Sequence, residues 1–290
     1  MGRRLAVTLL AVVASLGYTV GTSLAAPGRE VHPSGKVKYH AARGQARPNK
    51  GGNPNLVFHG GPIMNDTAVQ VIYWGTSWNS SSFAGDKITG LADFYSGVGG
   101  TPYAGTSTEY GGNNGAISGA VSYGGNIVDT TPAPSRAPST GTILNEVARR
   151  ISHPVANGYY PVYVDTRRGP AGYCAWHSVG TINTVTVQFA FFFNLDGDSG
   201  CDPRDTWTSH SQGLAALANV TGHELSEAVT DPHLDAWYDS GGSENADKCA
   251  WTFHAPVKFS GSTWKVQGNW SNIAYNGKTG YTLGGCVDGN

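Results

Sequence analysis

Charge is scarce in this chain. Charged residues make up 13% of its 290 positions, and 19 Lys and Arg barely offset 20 Asp and Glu. So little positive charge leaves no basic face of the kind that nucleic acid or an anionic membrane demands, and both are excluded as the main partner. Cysteine is sparse as well. The four present, Cys174, Cys201, Cys249 and Cys286, include no CxxC pair, which argues against a four-thiolate zinc site. Long hydrophobic runs are missing too: the apolar stretch at residues 5–16 falls short of the ~20 residues a spanning helix needs, and no later segment is long enough.

What is present begins at the N-terminus. Arg3 and Arg4 form a short basic region, residues 5–16 an uncharged apolar one, and Ser23-Leu24-Ala25 offers the small residues a signal peptidase reads. Residues 1–25 are therefore expected to be a signal peptide and the protein to be secreted. Taking Arg3 and Arg4 from the 19 basic residues leaves 17 against 20 acidic ones, a mature charge near −3. An even set of cysteines in an oxidising compartment predicts two disulfides, and the shortest loops favour Cys174–Cys201 and Cys249–Cys286.

Residues 26–54 mix Arg29, Lys36, Lys38, Arg43, Arg47 and Lys50 with Pro, Gly and Asn, without apolar periodicity. Such a segment buries too little apolar surface to offset its ordering entropy. It is expected to be a flexible leader or propeptide, removable without loss of fold. Residues 55–290 then form a single secreted domain, with 237–290 as an irregular C-terminal lobe closed by Cys249–Cys286.

Within that domain, 69–74 reads as a strand rich in β-branched and aromatic residues. Residues 87–95 and 142–151 read as helices, 103–128 as irregular short strands, 130–140 as a loop and 160–165 as a strand. Residues 185–193 are a nearly continuous apolar run, the expected central strand. Strands alternating with helices predict an α/β (α+β) layer arrangement. The most informative helix spans about 209–230 and is stopped by Asp231-Pro232. At 100° per residue, Leu214, Leu217, Ala218, Thr221, Leu225 and Ala228 form one stripe, while His223, Ala216, Val220 and Glu227 lie on the other side. A helix apolar on two sides is a central helix, which places His223 and Glu227 in an interior cleft.

One helical turn separates His223 from Glu227, so both leave the same face and can hold one divalent cation, with Glu224 beside them as general base. His223-Glu224-Leu225-Ser226-Glu227 resembles the HExxH helix of zinc metallopeptidases, with Glu227 standing where the second His would be. The expected fold is thus a zincin-like mixed sheet with a central active-site helix. For a further ligand, Glu244 and Asp247 lie downstream at a spacing similar to that of thermolysin-like enzymes. Asp231 and His233 are nearer, although Pro232 restricts the approach of His233. His177, next to Cys174, is placed to line the same cleft. The rival view of the pair is a charge-assisted hydrogen bond without a metal.

Several blocks carry a family resemblance. Phe58-His59-Gly60-Gly61-Pro62, Val71-Ile72-Tyr73-Trp74-Gly75, Cys174-Ala175-Trp176-His177 and the run from His223 through Asp231-Pro232 resemble the phosphate-induced protein 1 (EXORDIUM-like) family. The run Ala236-Trp237-Tyr238-Asp239 and the segment Glu244-Asn245-Ala246-Asp247-Lys248-Cys249-Ala250-Trp251 look like its microbial branch. The resemblance implies a secreted, cell-wall-linked protein without a defined activity. Two functions follow: a metal-dependent, peptidase-like hydrolase acting on an extracellular peptide or cell-wall polymer, with zinc preferred to calcium, or a non-catalytic extracellular binding protein with a structural acidic cluster.

Overall fold

A computed structural model describes residues 30–45 and 54–290. The expected signal peptide at 1–25 lies outside the described residues. The centre of the fold is a seven-stranded mixed sheet. Its strands in chain order are β1 (Val31–Pro33), β2 (Lys38–Ala41), β3 (Thr67–Trp74), β4 (Val121–Asp129), β5 (Gly158–Arg167), β6 (Tyr173–Ile182) and β7 (Val185–Asn194). Across the sheet they run β6–β7–β5–β3–β4, with β1 and β2 both completing the edge beside β6. The β4, β3, β5 and β7 strands are mutually parallel, and β6 runs antiparallel to β7. The apolar run read as the central strand is β7, buried from Val187 onward because its Phe and Val side chains are covered on both faces.

Helices cover both faces. α1 (Lys87–Val98) and α2 (Thr140–Arg150) match the two shorter helices read from the sequence, and α3 (Gln212–Thr230) is the long one. Ser211 caps α3, its hydroxyl accepting from the Leu214 amide at 3.1 Å, a contact that contributes ~1 kcal/mol. Every α3 residue from Gly213 to Thr230 is buried. It packs on β2, β6 and β7 with one side and meets α1 and the short strand Ser262–Trp264 with others. Gly180 of β6 faces Leu144 of α2, whereas His177, of opposite parity, faces α3. The central-helix expectation is met for the reason given: a helix apolar on two sides needs two coverings.

Both expected disulfides are present, Cys174–Cys201 and Cys249–Cys286, each with Cα atoms 5.8 Å apart. The first ties β6 to the loop after β7. Replacing Cys174 and Cys201 by Ala should lower stability by about 3 kcal/mol, mainly by releasing the unfolded chain; unchanged urea denaturation would count against that.

Two expectations are corrected. The segment 26–54, read as a dispensable leader, contributes β1 and β2 from its described part, and His40 and Ala42 are buried. The edge of β6 supplies their backbone partners, so an apolar pattern of their own is not needed. Residues 103–128, read as irregular short strands, contain a helical turn (Pro102–Gly105), a tiny hairpin and the nine-residue β4. Alternating half-exposure along β4 is the pattern of an edge strand, which Gly124-Gly125 obscured in the sequence. The segment after Trp237 has the short strands and turns expected but also a short helix, Asn272–Gly277, capped by Ser271, and it packs onto α3 through Gln267, Asn269 and Asn245.

Candidate metal centre

Three elements meet under the β2 edge: α3 brings His223, Glu224 and Glu227, β6 brings His177, and the loop after Trp237–Tyr238 brings Glu244 and Asp247. His177 Nε2 lies 3.2 Å from Glu244 Oε2 and 3.6 Å from Glu227 Oε2. His223 Nε2 lies 3.0 Å from Glu227 Oε1 and 3.7 Å from Asp247 Oδ1. Two groups with the spacing of metal ligands result, His177–Glu227–Glu244 and His223–Glu227–Asp247, each with its ligating atoms within 4.8 Å of one another. Glu227 belongs to both. All of these side chains are fully buried except Asp247, whose side chain is 25% exposed.

The hydrogen bonds explain why the side chains hold these positions. Glu227 Oε1 accepts from the Asp247 amide at 2.9 Å, while Glu227 Oε2, fully buried, has no hydrogen-bond partner. His223 Nε2 also lacks one: Glu227 Oε1 is close but lies off the direction of a ring N–H. The other ring nitrogen faces the Gln267 amide nitrogen at 2.9 Å, and that amide also donates to Ala246 O at 2.8 Å. Gln267 Oε1 accepts from the Trp251 amide at 3.2 Å, so backbone groups on both sides orient the side chain. Gly222 is required by close approach: a Cβ there would stand 2.6 Å from the Tyr103 hydroxyl, which bonds to Gln267 O.

Burial dominates the electrostatics. It raises the pKa of Glu244 and Glu224 well above the usual carboxylate range, helped in both by the charge of Glu227. Burial and Glu227 also push Asp247 up to about 7. Burial opposes ionisation of Glu227 too, but His223, His177 and Lys38 outweigh it and leave its pKa below the ordinary value. Burial drives His177 down to about 4. For His223 burial is outweighed by Glu227 and Asp247, and its pKa is raised. Burial also raises the pKa of Asp231, whose Oδ2, like Glu244 Oε1, is buried without a hydrogen-bond partner.

Of the residues singled out in the sequence, His223, Glu227, Glu244 and Asp247 are brought together, and His177 joins them as a full member rather than as a cleft wall. Asp231 stands behind Glu244, its Oδ1 accepting from the Asp235 and Ala236 amides at 2.7 and 2.6 Å. Glu224, expected as the base beside the ligands, is buried next to His223 and outside both ligand groups, and burial with the charges of Glu227 and Asp247 raises its pKa well above the ordinary value. His233 lies outside them too and lines a separate hollow with Pro62, Asn157 and Gln188. Two residues escaped the sequence reading. Lys38 extends from β2 towards Glu244, Glu227, Asp231 and Asp247 and donates to Gly242 O at 2.7 Å. His40 packs its ring on that of His223, centroids 3.8 Å apart, with Trp251 on another side. Both sit in the segment read as a leader, and only strand pairing brings them here.

A cleft of about 450 Å³ opens over Asp247, walled by Val37, Lys38, Tyr39 and the Gly241-Gly242-Ser243 backbone. Asp239 shapes that wall. Its Oδ1 accepts from the amides of Gly241 and Ser243 at 2.8 and 3.0 Å, and its Oδ2 takes Lys248 Nζ at 2.8 Å. Burial alone would raise its pKa, but Lys248 and the amides outweigh burial and hold it below the ordinary value. A depressed pKa contributes stability above the unfolded value of about 3.9, lost as pH falls through the lower folded one. Asp239→Asn should therefore destabilise by ~1.5–3 kcal/mol near neutrality, and the difference should shrink in acid. A gap that persists unchanged at acid pH would contradict the charge-based account.

The fold and the cluster define a mixed α/β protein with buried His and carboxylate groups at ligand spacing beneath a polar cleft. Neither a family model, nor a characterised protein, nor a solved structure matches the chain. Among the described residues, no helix is long and apolar enough to cross a membrane.

Proposed function

We propose that this chain is an exported, metal-dependent hydrolase whose cation is held by the His177–Glu227–Glu244 and His223–Glu227–Asp247 cluster. The observation that carries the reading is Glu227 Oε2: a fully buried oxygen, without a hydrogen-bond partner, 3.6 Å from His177 Nε2. Metal bonds of ~2.1 Å place adjacent ligand atoms ~3.0–3.5 Å apart; the imidazole–carboxylate separations run from 3.0 to 3.7 Å, and all ligating atoms of each group lie within 4.8 Å of one another. An imidazole in each group favours zinc or another first-row ion over calcium, which takes oxygen ligands. Such an ion supplies Lewis-acid polarisation of a substrate carbonyl.

The chain's own residues supply the rest. Asp247 is the side chain through which the cluster meets the cleft, and Lys38 brings a positive charge to the same rim. Exposed Tyr39 and the backbone of Gly241 and Gly242 form an open wall suited to an extended peptide or wall polymer. The apolar N-terminal segment, the two disulfides and the resemblance to phosphate-induced protein 1 support an extracellular setting.

The complete burial of His177, Glu227 and Glu244 favours a second reading, a non-catalytic binding protein with a structural cation. Elemental analysis of purified protein, followed by hydrolysis assays on unfolded protein and wall polysaccharide, separates the two. Bound zinc with turnover that a chelator abolishes and zinc restores is expected. Bound metal without turnover on either substrate selects the second reading, and absence of metal removes both.

A further inference from the structure

We propose that the cluster is a dinuclear centre, in which two divalent cations, one at His177 and Glu244 and the other at His223 and Asp247, are bridged by the carboxylate of Glu227. This rests on the cation-binding reading above. The two oxygens of Glu227 face different histidines: Oε2 faces His177 Nε2 and Oε1 faces His223 Nε2. A carboxylate serving one ion from both sides would not split its oxygens between two imidazoles. The two halves have the same composition, one imidazole and one terminal carboxylate each, arranged about a shared Glu227. Both His223 Nε2 and Glu227 Oε2 are fully buried without a hydrogen-bond partner, one in each half, so each half has an unpartnered atom turned into it.

The buried carboxyls around Glu227 also need compensation. Five carboxyls gather here: Glu224, Glu227, Asp231 and Glu244, all buried, and Asp247, which is partly so. Lys38 is the cation that acts on four of them. Buried charge is tolerated only when compensated. Cations held between the two histidines and Glu227 would supply that compensation together with Lys38. The halves differ in readiness. The Gln267 amide donates to His223 Nδ1, an arrangement that keeps the proton on Nε2, so ligation there requires the amide to turn. At His177, Nδ1 has no partner and Nε2 is hydrogen-bonded to Glu244 Oε2 at 3.2 Å, so an ion there takes the place of that bond. Filling the His223 half carries the added cost of turning an amide that also bonds Ala246 O and the Trp251 amide, so it fills second and more weakly.

The test uses the full secreted chain, stripped with a chelator and titrated with Zn²⁺. Elemental analysis should reach two ions per chain, in two steps. One ion at saturation would overturn the dinuclear centre and leave the metal reading intact; none would overturn both. Loading with two equivalents of Mn²⁺ should replace the six-line resonance of isolated Mn²⁺ by an exchange-coupled spectrum. Two ions with undiminished six-line intensity would overturn the bridge. His177→Asn and His223→Asn should each reduce the count from two to one, and Glu227→Gln should lose both. A Glu227→Gln protein that keeps one ion at unchanged affinity would also overturn the bridge. Where a variant fails to fold, the Mn²⁺ spectrum of the unaltered protein decides.

Discussion

A chain that begins at Asn55 should fail to reach the native state. The segment it lacks provides β1 and β2, which pair with β6 at Val31–Ile182, His32–Thr181, Lys38–His177 and Tyr39–Trp176 among other positions. It also fastens itself by side-chain and backbone bonds: Ala41 O accepts from Trp251 Nε1 at 2.9 Å, and the Arg43 amide donates to Gly200 O at 2.7 Å. Ala42 N donates to Gly172 O at 2.9 Å, and the Arg43 guanidinium lies 4.7 Å from the Trp251 ring centre. Without the segment the buried groups of β6, His177 and Ser178 above all, would meet water along an unpaired strand edge, which invites aggregation. Each lost backbone bond is worth ~1 kcal/mol net, and both ladders are lost together with the bonds of Ser34, Ala42 and Arg43, a large part of the roughly 5–15 kcal/mol that holds a domain folded. Secretion yield and a cooperative melt of the truncated chain check this. A truncated protein melting within a few degrees of the full chain would show that the strands are accessory.

Stripping the cation should lower the melting temperature by about 10 °C at neutral pH. A ligand present at a thousand times its dissociation constant stabilises by ~4 kcal/mol, and for a domain of this size 1 kcal/mol corresponds to ~2–4 °C. The loss should depend on pH in a definite sense. In the metal-free protein Glu224, Glu244 and Asp247 have raised pKa values, Asp247 up to about 7. A raised carboxyl pKa contributes stability below the unfolded value, and that contribution is lost as pH rises through the folded value. The stripped protein should therefore weaken between about pH 4 and pH 7, whereas metal binding strengthens as protons leave the ligands. The gap between loaded and stripped melting temperatures should widen with rising pH over that window. A gap that is constant, or that narrows, would show that protons do not stand in for the cation.

Chemistry carried by one continuous helix was readable in advance. Leu214, Leu217, Leu225 and Ala228 define a stripe, so the orientation of His223 and Glu227 follows from helical geometry alone. The same arithmetic put Glu224 beside them as a base and not as a ligand, and it lies outside both ligand groups. Spacing along a helix states which residues share a face, and it does not state what covers each face. His177 was noticed for its neighbour Cys174, but its place on β6 opposite Lys38 depends on strand register, which appears only when strands pair. Lys38 and His40 gave no signal because an edge strand that borrows its hydrogen bonds from a neighbour needs no apolar pattern of its own.

By itself the sequence determined the local and the short-range: the layered α/β class, the long central helix with its His and Glu one turn apart, and the two disulfides that close nearby loops. Tertiary structure alone decided which distant residues complete the cluster. His177 and Glu244 are 67 positions apart in the chain, yet their side chains stand 3.2 Å apart. Contacts over such separations are selected by the packing of the whole sheet and helix, since a local pattern constrains neighbours in the chain but carries no information about which edge, loop or strand the fold will lay across them.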